Sequence, residues 1–371
     1  MNRVTYILER TFPMKKLLAL TMAFLMAACV LCSCAAPLPP VPEVVSVSEN
    51  LSENISESLG EAPGGAYGEL AYGYLLDIAK DFAGRICFTQ KDYEMAEYII
   101  AALKNAGYSD ADIEVQRFEP TAYSEKAAKW YRDNAAEKRY KGGEWLGYSQ
   151  SVFAAKKGDS DKVIVVGCHI DSVDNGGISD NGAGIAAMLE SAERMIGAQT
   201  PYTILYAFFG GEEVGLCQGS MEYVKSLTDE EKENILLMVN LDVLLDAPNL
   251  NAYSGRLQNL KIADDAITSR VNELIRDSGL DIHQGTIYDG LVELSDHRDF
   301  LRSGVPCVTF FSVYMDSLAY MPDGSGVTWD YMHSAKDTLD YIRGDDPGRI
   351  GKTLNSMSII LEKILLENFA A

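Results

Sequence analysis

Val163-Ile164-Val165-Val166-Gly167-Cys168-His169-Ile170-Asp171 decides how the rest of the chain is read. A short, near-continuous apolar run of β-branched residues fits a strand buried on both faces, as in a parallel sheet. The run ends in an imidazole and a carboxylate two residues apart, and in extended backbone positions 169 and 171 project to the same side. Three further runs have the same character: Thr203 to Phe209, Ile235 to Val239 and Cys307 to Phe311. Between and after them lie helical patterns at 182–196, 216–226, 262–278, 296–302 and about 347–367. Strands alternating with helices predict an α/β fold, a mostly parallel central sheet with helices on both faces.

Upstream, Tyr93, Ala96, Ile99, Ile100 and Leu103 recur at helical spacing over Asp92–Asn105, and Gly107 follows as a stop. Ile113–Phe118 and Ser151–Ala155 read as edge or hairpin strands separated by a polar insertion at about 121–148. No internal repeat is present.

In such a sheet, ligands bind beyond the carboxyl ends of the strands, and the unusual polar residues fall there. After His169 and Asp171 comes Ser179-Asp180-Asn181-Gly182-Ala183-Gly184, a glycine-bearing turn into a helix, where Asp180 reads equally as a helix cap. The second apolar run ends in Gly210-Gly211-Glu212-Glu213-Val214-Gly215. Two adjacent carboxylates there repel unless they are solvated or share a cation or proton. The third ends in Asn240-Leu241-Asp242, and near the C-terminus stands Tyr331-Met332-His333-Ser334-Ala335-Lys336-Asp337-Thr338. The chain has 4 histidines; two stand beside acids in this set, a third is in Ser295-Asp296-His297, and His283, with no such company, reads as a surface residue. Singly each motif is ordinary. Gathered at one sheet edge, they predict a metal site.

Taken together and in this order, these motifs resemble the co-catalytic double-zinc exopeptidases, metallopeptidase family twenty-eight. That family includes bacterial leucyl aminopeptidases, aminopeptidase Y, glutamate carboxypeptidase and the related glutaminyl cyclases. The resemblance spans most of residues 75–371 and implies a single α/β/α zinc-exopeptidase domain over 66–371. It implies that Asp180 bridges two zinc ions, that His169 and Asp242 complete one site, and that Glu213 and His333 complete the other. Glu212 would be the general base and Asp171 would stand behind His169. The donor types suit the chemistry, since two imidazoles and three carboxylates form borderline-hard sites for zinc, with cobalt or manganese as substitutes. A water shared by two such ions is acidified toward neutrality. The activity implied is release of N-terminal residues from peptides. A one-zinc glutaminyl cyclase lacking the first histidine and a non-catalytic peptide-binding lipoprotein are the alternatives. One departure stands out: several family members carry a tyrosine directly before the last histidine, where this chain has Met332 with Tyr331 one residue off, so the oxyanion donor stays unassigned. Asp296 and His297 match a family motif of supporting or substrate-facing role, or read as a helix start.

Composition sets the outer limits. In 371 residues, 47% hydrophobic and 23% charged, a full core is available, and collagen-like, coiled-coil and wholly disordered classes are excluded. A formal charge of −22 would repel nucleic-acid phosphates and an anionic lipid surface. Lys15-Lys16 followed by the apolar run Leu17–Leu31 reads as a signal peptide, too short for a spanning helix. Leu31-Cys32-Ser33-Cys34 resembles a bacterial lipoprotein box, which implies cleavage after residue 33 and lipid on Cys34, hence an enzyme anchored outside the cell. An ordinary secretory signal is the alternative. Residues 34–65, with their prolines, glutamates and serines and no Lys or Arg, read as a disordered tether. Cys87, Cys168, Cys217 and Cys307 show no paired spacing and are expected as buried small hydrophobes rather than two bridges.

Overall fold

Alternate residues of the apolar runs go to two different cores. Ile164, Val166, Cys168, Ile204, Tyr206, Phe208, Leu237 and Val239 join one apolar cluster. Val165, Ala207, Phe209 and Met238 join another. A period-two strand buried on both faces does this, which is why these stretches are apolar throughout rather than alternating. The computed structural model describes residues 66–215, 217–287, 292, 294–312 and 331–370. The expected signal peptide, the Cys34 anchor and the 34–65 tether lie outside them.

The strands are β1 (Ile113–Phe118), β2 (Ser149–Lys156), β3 (Ser160–His169), β4 (Tyr202–Phe209), β5 (Ile235–Leu241), β6 (Leu250–Gln258), β7 (Lys261–Ala263), β8 (Ile282–Thr286) and β9 (Cys307–Ser312). The helices are α1 (Glu69–Asp81), α2 (Gln90–Ala106), α3 (Ala122–Asn134), α4 (Ala183–Met195), α5 (Gln218–Ser226), α6 (Asp229–Asn234), α7 (Ala266–Ser278), α8 (His297–Arg302), α9 (Leu339–Asp345) and α10 (Arg349–Leu366). The sheet order is β1-β2-β4-β3-β5-β9-β6-β7, with β8 also on β6. The central four strands are parallel. Both flanks turn antiparallel through β1–β2–β4 and β9–β6–β7. Helices α1, α2, α4 and α10 bury apolar residues in the first core, while Val224 of α5 and Phe300 and Leu301 of α8 enter the second.

The expected strands and helices at the sheet centre are present, with local differences. β2 lies between β1 and β4 and is not an edge. The helix expected over 262–278 starts at Ala266, because Lys261–Ala263 pair with β6 and the Asp265 carboxylate accepts from the amides of Ile267 and Thr268. The polar insertion contains α3, started by a capping box between Thr121 and Ser124. β6 was not legible, since Asn251, Ser254 and Gly255 interrupt its apolar pattern. The four cysteines are free and buried, as expected.

Topology positions the site. From β3 the chain crosses to β4 on one side and then returns to β5 on the other. The connections after β3 therefore part above its carboxyl end, which leaves a crevice at the switch point. His169 is opposite Phe209 and Gly167 opposite Asn240, so the ends of all three strands are level.

Candidate metal centre

His169 ends β3, fully buried, with Nε2 3.1 Å from Asp180 Oδ1 and 3.2 Å from Asp242 Oδ1. Asp180 lies in the turn between β3 and α4, and Asp242 follows β5 directly. The Asp180-Asn181 peptide bond is cis. The second oxygen of Asp180 faces the other way, with Oδ2 3.2 Å from His333 Nε2, while Glu213 Oε2 stands 2.9 Å from the same nitrogen. Two donor triads result, His169/Asp180/Asp242 and Asp180/Glu213/His333, each with ligand atoms within 4.8 Å of one another. All five expected ligand residues converge, and Asp180 belongs to both triads.

This arrangement fits cations better than it fits the protein alone. His169 Nδ1 lies 3.1 Å from the Asp171 carbonyl oxygen. An Nδ1–H donated there leaves the Nε2 lone pair pointing at two carboxylate oxygens, a repulsive contact unless a proton or a metal ion stands between. Glu213 Oε1 is buried with no hydrogen-bond partner among the described residues. Burial and the Asp180 charge push the Glu213 carboxyl up to about 7. The adjacent Glu213 carboxylate pushes His333 up to about 12. Without metal, protons on these groups relieve the crowding of buried acids.

The supporting residues hold loops rather than side chains. The Asp171 carboxylate accepts the amides of Glu212 (3.1 Å) and Glu213 (3.2 Å), so it places the paired glutamates. It lies on the Nδ1 side of His169, with its carboxylate 3.7 Å and its carbonyl oxygen 3.1 Å from that nitrogen. Asp337 is buried and accepts the amides of Ile178 (3.0 Å), Ser179 (2.6 Å) and Asp180 (3.2 Å), gathering the Asp180 turn around one carboxylate. Glu212 is half-buried and outside both triads; burial, with Glu213 and Asp242 nearby, holds its carboxyl well above the usual range.

Asp296 is the residue before α8 but makes no capping bond from its side chain. Its buried carboxyl, pushed up to about 7 by desolvation, lies in the field of His169, Asp242 and Asp171. A helix does start at His297, as one of the two expectations had it. The His297 ring packs edge-on against Phe311, 6.5 Å between centroids. His283 is exposed on β8, as expected. Tyr331 is turned into the interior, where its hydroxyl donates to Asp345 and accepts from Arg349 at 2.8 Å.

The model of peptidase family M28 matches residues 151–358 of the chain, a stretch that contains both triads. The chain belongs to peptidase family M28. Among relatives of this M28 chain, the probable lipoprotein aminopeptidase LpqL of Mycobacterium tuberculosis is 33% identical over 210 residues, covering 52% of the chain and 41% of the relative. Leucine aminopeptidase 2 of Arthroderma otae is 32% identical over 204 residues, covering 52% and 40%. The chain thus spans about two fifths of the length of these relatives. In fold, it resembles BSAP, a zinc aminopeptidase from Bacillus subtilis, with a TM-score of 0.61 at 16% identity over 83% of this chain and 97% of that one. It also resembles the glutaminyl cyclase of Tannerella forsythia, with a TM-score of 0.55 at 18% identity over 81% and 98%.

Two residues beside this candidate centre escaped the sequence reading. Arg85, fully buried, donates from Nε to the Ile170 carbonyl (2.5 Å) and from Nη2 to the Gly177 carbonyl (2.8 Å), tying the His169 segment to the Asp180 turn. Asp246 accepts the amides of Tyr331 and Met332, both at 2.7 Å. It thereby steadies the loop in which His333 takes a left-handed φ of 54°. Neither sits in a motif; a lone Arg before α2 and an Asp after β5 carry no local signal of a site some 85 residues away in sequence.

Proposed function

We propose that this chain is a metal-dependent aminopeptidase, releasing N-terminal residues from peptides. The observation that carries the reading is the double use of Asp180, one carboxylate oxygen toward each histidine. Family membership and the aminopeptidase names among the relatives support it. His169, Asp180 and Asp242 would hold one zinc ion, and Asp180, Glu213 and His333 a second, with cobalt or manganese as substitutes. Bound ions of this kind supply Lewis acidity and bring the pKa of a nearby water toward neutrality.

The chain's own residues supply the proton transfers. Glu212 is fixed at its backbone by Asp171 and kept basic by burial among other acids, and it is the general base. It takes a proton from the attacking water as the carbon–oxygen bond forms. It returns that proton to the amine nitrogen as the peptide carbon–nitrogen bond breaks, so water is consumed and two products leave. Asp171 and Asp337 orient the loops that carry Glu212, Glu213 and Asp180.

The test is zinc content together with release of a chromophore from an aminoacyl anilide, before and after chelation. About two zinc per chain and chelator-sensitive turnover are expected. One zinc with cyclisation of N-terminal glutamine would replace this reading by the glutaminyl cyclase one, against which the placement of His169 beside Asp180 and Asp242 counts. We also infer a lipid anchor at Cys34, on the lipoprotein box and the lipoprotein name of one relative. Replacing Cys34 with Ala should shift the protein from the membrane to the soluble fraction. An unchanged membrane share would overturn the anchor without touching the chemistry.

A further inference from the structure

Phe118 and Ser149 are paired at the end of the β1–β2 ladder, yet residues 119–148 intervene. That connection carries α3 and is a built element rather than a bare turn. Within it, Arg132 donates to the carbonyls of Lys141 (3.1 Å) and Gly143 (2.9 Å), and the amides of Gln90 and Lys91 tie it to α2 by donating to the carbonyls of Glu144 (2.8 Å) and Gly142 (3.0 Å). Gln218 Nε2 reaches the Glu119 carbonyl (2.9 Å) from the side of the paired glutamates.

The segment leans over the Glu212–Gly215 turn. A Cβ placed on Gly215 would come within 2.5 Å of the Tyr123 ring, so α3 lies directly against that turn. One turn pair further along α3, Tyr131 packs on the cluster of Ile86, Cys87, Phe88, Phe118, Ala128 and Val214, the last adjacent to Glu213. The charges around its phenol are those of the site, Glu213 and His333 foremost, then Glu212 and Asp174. Desolvation and these acids push Tyr131 up to about 12, so it keeps its proton at neutral pH. Tyr331 is committed to Asp345 and Arg349, and Met332 packs in the second core. Among the described residues, Tyr131 is thus a phenol that the fold, rather than the sequence, brings beside the Glu213 turn.

We propose that Tyr131 is a catalytic residue of the aminopeptidase reaction, its hydroxyl donating a hydrogen bond to the carbonyl oxygen of the scissile bond as negative charge develops there. This rests on the aminopeptidase reading. The donor is preorganised on a helix pinned to the body of the protein, so it needs no reordering as the charge appears. No covalent bond to Tyr131 forms, and its proton stays on the phenol.

The experiment compares the zinc-loaded full chain with Tyr131→Phe on leucyl-p-nitroanilide, and measures binding of an α-aminoboronic acid and of free leucine. Losing one such donor costs about 100-fold or more in kcat. We expect a kcat loss of that size with KM within about 2-fold, the pattern of an interaction made in the transition state. Zinc per chain and melting temperature should be unchanged, boronic acid affinity should fall with kcat, and leucine affinity should hold. Wild-type kcat in Tyr131→Phe, or a raised KM with kcat kept, overturns the assignment of Tyr131 alone. A wild type that turns over no aminoacyl anilide overturns the aminopeptidase reading and this inference with it.

Discussion

Asp180 has two oxygens and each meets a different imidazole, His169 at 3.1 Å and His333 at 3.2 Å. One carboxylate can do this only from a backbone turn that places it between the ends of two separate elements. Glu212 and Glu213 differ in position: Glu213 has an oxygen 2.9 Å from His333, whereas Glu212 belongs to neither triad. On the proposed reading, removing the Glu212 charge without changing its shape should therefore spare zinc binding. For Glu212→Gln we expect zinc content near wild type and a kcat lowered at least about 10²-fold, the range for loss of a general base. Turnover at the wild-type rate would remove Glu212 from that role.

At the scale of the element, the turn of residues 178–182 is shaped by a residue more than 150 positions away. Asp337 draws the amides of Ile178, Ser179 and Asp180 together, and Arg85 holds the Gly177 carbonyl at its start. Outer groups of this kind typically govern metal affinity by about 10–100-fold. Asp337→Ala should weaken zinc binding by that factor while the sheet persists, as read by chelator competition and by circular dichroism. Unchanged affinity would mean that the turn holds its shape through its own packing.

The whole molecule concentrates acids at one sheet edge, and its metal-free stability should record this. Burial pushes the carboxyls of Glu213, Asp296 and Asp337 up to about 7. Their folded values lie above the unfolded ones, so between about pH 4 and 7 the folded chain binds more protons and stability falls as pH rises. His333, pushed up to about 12 beside Glu213, adds stability that is present below its unfolded value near 6.5 and is lost as pH rises toward 12, the same sign. The chelated protein should therefore melt at progressively lower temperature from about pH 4.5 to 7.5. Zinc should restore more stability at the upper end, since binding requires the deprotonated ligands. A chelated melting temperature that rises across this window in scanning calorimetry would contradict the crowding of acids.

What the sequence alone determined was the part written in short-range pattern. Uniformly apolar runs of strand length specify a doubly covered sheet, and polar residues just past their ends specify a site, because period-two burial and strand polarity follow from local chemistry. The five candidate ligand residues were nameable because the order of the motifs resembles one family. Only the tertiary structure decided which groups hold them in place. Arg85 and Asp246 come from segments with no periodic or motif signal, and β6 hides behind its polar residues. Their contacts depend on how distant segments pack. Hydrogen bonds and ring contacts across such separations leave no mark in local spacing.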